Sequence, residues 1–272
     1  MKLIILFLFS FYSVNLHARN YGEFNEVELA GKKEIIIASF SSPQGIELLD
    51  SAKYKNDFYS LASHFQPQIN PLYCGIASSV IILNALNQGK FVIENSKNII
   101  TKPKIFGGGI IEFRTFTQDE FLSEYTDVIK PRKVIRLEAQ DKNLARFDAG
   151  LTLQQLADML NYYNVKTKII YAEGAYDLGL AQFRKNLIKI LEQPDSYIIA
   201  NFQGKHIGAL TAGHISPIVA YNETKDKILI MDVASHLQPW YWVNLEKFYQ
   251  AMQIKDGNKA RGYLIATNKL KN

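Results

Sequence analysis

Gln68-Ile-Asn-Pro71-Leu-Tyr73-Cys74-Gly75-Ile-Ala-Ser-Ser-Val-Ile-Ile-Leu83-Asn84-Ala-Leu86 carries the only cysteine of the chain, at the point where an extended, proline-bearing segment gives way to a long apolar run. From Gly75 to Leu86 the residues are apolar or small on nearly every side, which predicts a helix buried all round with Cys74 in its first turn. A buried helix start is where thiols become reactive, because its unpaired N–H groups and the positive end of its dipole favour thiolate over thiol. A lone cysteine is more often a small core hydrophobe, and this segment alone leaves the two readings evenly balanced.

Outward from this helix, Pro67 and Pro71 predict an extended approach over residues 57–70. Before that, Glu34-Ile-Ile-Ile-Ala-Ser39 reads as a strand, and a serine cap with Pro43 opens a helix to about Ala52. Beyond Asn87-Gln-Gly89, which ends the cysteine helix, Gly107-Gly-Gly109 marks a flexible turn without the Lys-Ser/Thr of a phosphate loop. Thr117-Gln-Asp-Glu120 has capping-box spacing and predicts a helix through about Ile129. Thr152 caps another with Leu153, Leu156, Ala157 and Leu160 on one face, and a third runs from about Leu178 to Glu192, burying Leu180, Phe183, Leu187 and Leu191. From Ser196 the period of 3.6 gives way to short apolar runs at Tyr197–Phe202, His214–Tyr221 and Lys227–Val233. A helix from Asn244 to about Met252 and a strand over Gly262–Thr267 complete the pattern. The fold class is α+β, a helical part with the cysteine helix packed on an antiparallel sheet.

Composition fits one domain: 272 residues, 47% hydrophobic and 21% charged. Met1–Val14 gives one positive charge and about a dozen apolar residues, a signal-peptide core shorter than the ~20 a spanning helix needs. Cleavage after Ala18 leaves residues 19–272 as a single domain, exported to the periplasm or secreted, with no membrane insertion. It also removes Lys2 and no acid, so the formal charge falls from +5 to +4. The basic residues are scattered, and their densest cluster, Lys130-Pro-Arg-Lys133, reads as a solvated turn, which speaks against nucleic acid as a partner. His17, His64, His206, His214 and His236 show no metal-ligand spacing, so no cofactor is expected in the protein. One cysteine cannot close a disulfide within the chain, and a single thiol kept in an oxidising compartment favours a thiol that is used.

Asn222-Glu-Thr-Lys-Asp226 is a tight polar turn, so the strands on either side should form a hairpin. Pairing Tyr221 with Lys225 places His214 directly opposite Asp232, with Cβ atoms about 5 Å apart on one face. The expectation depends on that register, since a slip of one residue spoils it. A carboxylate there holds an imidazole in the tautomer that accepts a thiol proton. The order Cys74, His214, Asp232 is then that of papain-like enzymes. Seen alone, His214 is more often a core histidine and Asp232 a strand-end residue; their joint spacing with a lone cysteine favours a catalytic triad.

The same residues carry a family resemblance. Gln68-x-x-Pro71-x-Tyr73-Cys74-Gly75 followed by Leu83-Asn84-Ala85-Leu86 resembles the nucleophile segment of phytochelatin synthases. Gly213-His214-x-Ser216-Pro217-Ile218 with Tyr221-Asn222 is similar to their histidine segment. Asp232-Val233-Ala234, Pro239, Trp242-Val243, Ala251-Met252 and Arg261-Gly262-Tyr263 resemble the aspartate block and the chain downstream of it, and Phe40-Ser-Ser-Pro43-x-Gly45 the amino-terminal segment. Residues 88–195 resemble the family only weakly.

The resemblance implies a papain-like fold and γ-glutamylcysteinyl transfer from glutathione. Cys74 would attack the carbonyl between cysteine and glycine, His214 would move the proton, Asp232 would orient His214, and Gln68 with the Cys74 N–H would form the oxyanion hole. Asp256 and Arg261 match the pair that holds the charged γ-glutamyl end, although the interval between them is two residues shorter than in the family, while Asn201 and Gly213 match neighbouring pocket positions. Cadmium or zinc would enter only as the metal–glutathione thiolate substrate. Two departures matter: Ser235-His236 stands where the family usually has an arginine after Asp-Val-Ala, and the cysteine-rich carboxyl-terminal region of the plant type is missing. The first weakens the acceptor site and points to hydrolysis of the thioester. Two other readings stay open at this level, a papain-like peptidase or amidase on another peptide and a non-catalytic exported binding module.

Overall fold

The computed structural model describes residues 26–29, 32–35, 37–87, 98–113, 115–135 and 150–268. The expected signal peptide, residues 1–18, lies outside them. A small hairpin, β1 (Glu26–Leu29) with β2 (Lys32–Ile35), precedes β3 (Ile37–Ser39), so the strand expected over 34–39 is shared between two elements. Ser42 caps α1 (Pro43–Ser51), its hydroxyl accepting from the Gly45 N–H at 3.0 Å. A Cβ on Gly45 would fall 2.1 Å from the Ser39 carbonyl oxygen, so only glycine lets α1 turn this close to β3.

The extended approach to the cysteine helix is partly corrected. α2 (Asn56–Ala62) occupies its first half, with Leu61 buried, and irregular chain begins only at Ser63. Proline restricts its own position and the residue before it, so Pro67 has no hold on residues five and more upstream. α3 (Cys74–Asn87) comes next, and every residue from Tyr73 to Leu86 is buried, as the apolar run predicts.

β4 (Asn98–Thr101) and β5 (Ile110–Phe113) pair across a 3₁₀ turn at Lys104–Phe106 and the three glycines 107–109, all at positive φ. The single helix expected from Thr117 to Ile129 is two short ones, α4 (Gln118–Phe121) and α5 (Glu124–Asp127). The capping box of Thr117 and Glu120 is present, but Ser123 caps again, and the Thr126 hydroxyl bonds the Phe121 and Ser123 carbonyls. Side chains that take main-chain groups in this way end a helix. In the basic cluster, Arg132 opens α6 (Arg132–Ile135) and pairs with Asp127 at 2.7 Å.

The Thr152 capping box starts α7 (Leu153–Tyr162), which leads into β6 (Val165–Tyr171) and α8 (Tyr176–Leu191). On α8, Phe183, Leu187 and Leu191 are buried and Leu180 partly so. The chain continues through β7 (Ser196–Gln203), β8 (Gly213–Asn222), β9 (Lys227–Ile230) and β10 (Tyr241–Asn244), then α9 (Leu245–Gln253) capped by Asn244. A two-residue ribbon, β11 (Lys255–Asp256) with β12 (Lys259–Ala260), precedes β13 (Gly262–Asn268).

Seven strands form one antiparallel sheet in the order β3-β10-β9-β8-β7-β13-β6. One face packs against α1, α2, α3 and α7, the other against α8 and α9. β13 is an interior strand between β7 and β6.

The hairpin register is corrected. Tyr221 pairs with Ile228 and Asn222 with Lys227, and a bulge between Ile218 and Ala220 shifts the ladder again, so that Ile218 faces Ile230. The turn is longer than expected because the Asn222 side chain accepts from the Lys225 N–H at 3.0 Å and Asp226 takes a left-handed φ of 49°. Asp232 therefore lies past the end of β9 and not across the ladder from His214.

Candidate active site

Cys74 is the first residue of α3, and the helix start is pinned to β8. The Ser78 hydroxyl reaches the Cys74 carbonyl at 2.8 Å and the Ile215 carbonyl at 3.1 Å. Gly75 packs between the two elements, where a Cβ would meet side chains of Ile215, Leu151 and Leu156 at 3.4 Å. Cys74 is 9% exposed and lies close enough to His214 to raise the basicity of its imidazole.

His214 Nε2 lies 2.8 Å from Asp232 Oδ1 and 3.1 Å from the Ser216 hydroxyl. Phe202 presses edge-on against the imidazole, at 5.6 Å between ring centroids. Both His214 and Asp232 are buried. Burial opposes a charge on His214, but the Asp232 carboxylate, its hydrogen bond and the neighbouring Cys74 outweigh it and push the imidazole up to about 10. Burial likewise opposes ionisation of Asp232, and the charge and hydrogen bond of His214 with those of Gln238 and the Ala234 N–H hold its carboxyl below the ordinary value.

The contact survives the altered register because the chain turns inward after β9. The Met231 N–H bonds the Pro217 carbonyl at 3.0 Å, and Asp232 then reaches His214 from beyond the strand end. Its Oδ1 also accepts from the Ala234 N–H at 2.8 Å, and its Oδ2 from Gln238 Nε2 at 2.6 Å. Gln68 belongs to the same assembly. Its main-chain N–H bonds the Val233 carbonyl at 2.9 Å, and its buried side chain donates to the Asn70 carbonyl at 3.0 Å. One amide hydrogen of Gln68 thus has an acceptor, and its Oε1 has no donor among the described residues.

A second cluster stands nearby. Arg261 Nη1 donates to Asn201 Oδ1 at 2.6 Å and lies 3.4 Å from Asp256 Oδ2, which accepts from Asn201 Nδ2 at 2.9 Å. The three line a cavity of about 180 Å³ with Gln154, Tyr171 and Lys259. Arg261 Nε is buried without an acceptor among the described residues. A Cβ on Gly213 would fall 2.9 Å from Arg261 Nη2, so glycine is what lets the guanidinium lie against β8. Asn201 pairs with Ile215, and Phe202 with His214, so the cluster sits a single strand step from the imidazole.

All eight residues singled out from the sequence thus fall into two adjacent groups on one end of β7, β8 and β13. Sequence reasoning missed Gln238 and Ser78 and gave Ser216 no role. Gln238 lies in an irregular stretch with no periodicity to mark it, and Ser78 reads as one more small residue of a buried helix. Among the described residues no group of His, Cys, Asp and Glu could hold a metal ion, and no helix is long and apolar enough to cross a membrane.

Residues 28–263 match the family model of phytochelatin synthase. Among curated proteins, the chain is 26% identical over 231 residues to glutathione gamma-glutamylcysteinyltransferase 1 of Lotus japonicus, covering 83% of this chain and 39% of the relative. It is 26% identical to the protein of the same name from Arabidopsis thaliana, covering 83% and 41%. It is 24% identical to glutathione gamma-glutamylcysteinyltransferase of Schizosaccharomyces pombe, covering 81% and 45%. The chain spans about two fifths of the length of these relatives.

Proposed function

Since the chain belongs to the phytochelatin synthase family, we propose that it is a papain-like acyl transferase that cleaves the Cys–Gly bond of glutathione. The observation that carries the reading is a buried thiol at a helix start, neighbouring an imidazole that is held 2.8 Å from a buried carboxylate. The Cys74 thiol passes its proton to His214 and Sγ attacks the carbonyl carbon, and the negative charge that develops on its oxygen is met by the Cys74 N–H and the uncommitted amide hydrogen of Gln68. Such a donor contributes roughly 3 kcal/mol to the transition state. His214 delivers its proton to the glycine nitrogen, the C–N bond breaks, glycine leaves, and a γ-glutamylcysteinyl thioester remains on Cys74.

The γ-glutamyl end of glutathione carries an α-amino and an α-carboxylate group. Arg261 and Asp256 supply one charge of each sign beside His214, with Asn201 as a neutral partner to both. Water then attacks the thioester, with His214 as base, giving γ-glutamylcysteine and regenerating the thiol. Attack by the amine of a second glutathione would give the longer (γ-Glu-Cys)₂-Gly. Ser235, exposed on the loop after Asp232, offers no charge to hold that second molecule, and this favours hydrolysis. Cadmium or zinc takes part as the thiolate complex of the substrate. The leader at residues 1–18 supports export, so the reaction takes place in the periplasm or outside the cell.

The test is mass spectrometry of products from residues 19–272 with glutathione, with and without cadmium or zinc, beside Cys74→Ala. Free glycine and γ-glutamylcysteine, both lost in Cys74→Ala, are expected. A Ser235→Arg variant should raise the share of extended peptides among the products; an unchanged share would show that Ser235 does not set the choice of acceptor. No turnover under any condition sinks the glutathione reading.

A further inference from the structure

Gln238 is fully buried and bonded at both ends of its amide. Its Nε2 donates to Asp232 Oδ2 at 2.6 Å, and its Oε1 accepts from the Leu210 N–H at 2.7 Å. The two oxygens of Asp232 are held differently. Oδ1 receives His214 Nε2 and the Ala234 N–H, while Oδ2 faces the Gln238 amide. Rotation of the carboxylate about its last torsion therefore meets a donor on each side. An amide donates to a carboxylate and accepts from a main-chain N–H at once, whatever the pH. Its Oε1 end reaches the segment between a 3₁₀ turn (Gly204–Ile207) and β8, which leads directly into His214.

We infer that Gln238 is a positioning residue for the reaction: it fixes the Asp232 carboxylate, and through it the tautomer and orientation of His214, and ties both to the Gly208–Ala212 loop. The inference rests on Cys74, His214 and Asp232 acting as the proposed function requires. The path is a continuous chain of hydrogen bonds from the Leu210 N–H through Gln238 and Asp232 to His214, which neighbours Cys74. A merely space-filling residue would need neither bond, and losing it would affect stability and not the proton chemistry. Losing this donor leaves Oδ2 of a buried carboxylate short of a partner and loosens its hold on the imidazole.

Two variants of equal length separate the roles. Gln238→Met keeps the volume and removes both bonds. Gln238→Glu keeps an acceptor for Leu210, and supplies a donor to Asp232 only when its own carboxyl is protonated. With glutathione as substrate, Gln238→Met should lose at least tenfold in kcat with KM within twofold, at a ratio to wild type that does not change between pH 5 and pH 8. Gln238→Glu should match that loss at pH 8 and recover at least fivefold relative to wild type at pH 5. Equal losses in both variants at every pH would reduce Gln238 to a structural residue, and more than half of the wild-type kcat in Gln238→Met overturns the inference outright. The rate of Cys74 alkylation by iodoacetamide at pH 6 reads the same relay without substrate, and should fall at least threefold in Gln238→Met. If the wild-type protein fails to turn over glutathione, the substrate assignment falls, while the alkylation rates still decide the role of Gln238: unchanged rates reject it.

Discussion

Asp232 decides the state of the imidazole beside it, and this can be read directly. Burial alone lowers the basicity of His214, and the carboxylate 2.8 Å away more than reverses it. Followed by NMR, the His214 ring should stay protonated through pH 8 and titrate near 10. In Asp232→Asn the burial that remains should bring its titration below the ordinary 6.5, with a loss of activity of two or more orders of magnitude. A His214 titration unmoved by the substitution would break the pair. Arg261 gives a second test at this scale. Arg261→Lys keeps the charge but loses the planar fork that meets Asn201 and Asp256, so KM for glutathione should rise about tenfold with a smaller change in kcat. Gly213→Ala, whose methyl group would push on the same guanidinium, should reproduce the effect in part. The candidate residues were legible because rare chemistry marks them, a lone thiol and a histidine followed by an aspartate one hairpin later. Gln238 was not, because a glutamine in irregular chain looks alike whether it is solvated or buried between two partners.

Elements were legible where one force acts alone. α3 and α7 follow from an apolar run and a capping box, and both appear at nearly the expected bounds. The split between α4 and α5 was hidden because it depends on where the Thr126 hydroxyl points, a choice between main-chain partners that periodicity does not record. The hairpin register failed for a related reason: an Asn222 side chain and a left-handed Asp226 set the turn, and a bulge then displaced the ladder. The expected His214–Asp232 contact was nonetheless met by another route, from a residue beyond the strand end. Ser78→Ala removes the hydroxyl that links α3 to the Ile215 carbonyl next to His214. It should cost about 1 kcal/mol in chemical denaturation, with a larger proportional fall in kcat than in KM. Asn84, which pairs with both the N–H and the carbonyl of Phe116 from the other end of α3, should cost more when cut to alanine, about 2 kcal/mol, while leaving the pH dependence of Cys74 alkylation unchanged.

At the scale of the whole molecule, one sheet with a filled core on each face follows from the apolar runs, while its strand order does not, since β6 and β10 carry too many polar or aromatic residues to stand out. The global stability has a feature of its own in Asp57. It is 4% exposed in the first turn of α2, its Oδ2 has no partner among the described residues, and burial pushes its carboxyl up to about 8. A proton bound in the folded chain and lost from the unfolded one stabilises fully below the unfolded value of 3.8, and the contribution drains away as pH rises toward 8. Asp57→Asn should therefore raise stability by at least about 2 kcal/mol at pH 8 and by almost nothing at pH 4; equal midpoints at both pH values would show the carboxyl to be solvated. A last consequence comes from the position of β6, which has β13 on one side and, among the described residues, no strand on the other. A seven-residue border of this kind is a template onto which a second molecule can add its own strand. The exposed Lys166 and Lys168 set like charges along it, so that two such borders repel each other. Replacing both with threonine should leave the fold intact and turn this border adhesive, seen as light scattering that grows with protein concentration and is suppressed in the lysine-bearing chain.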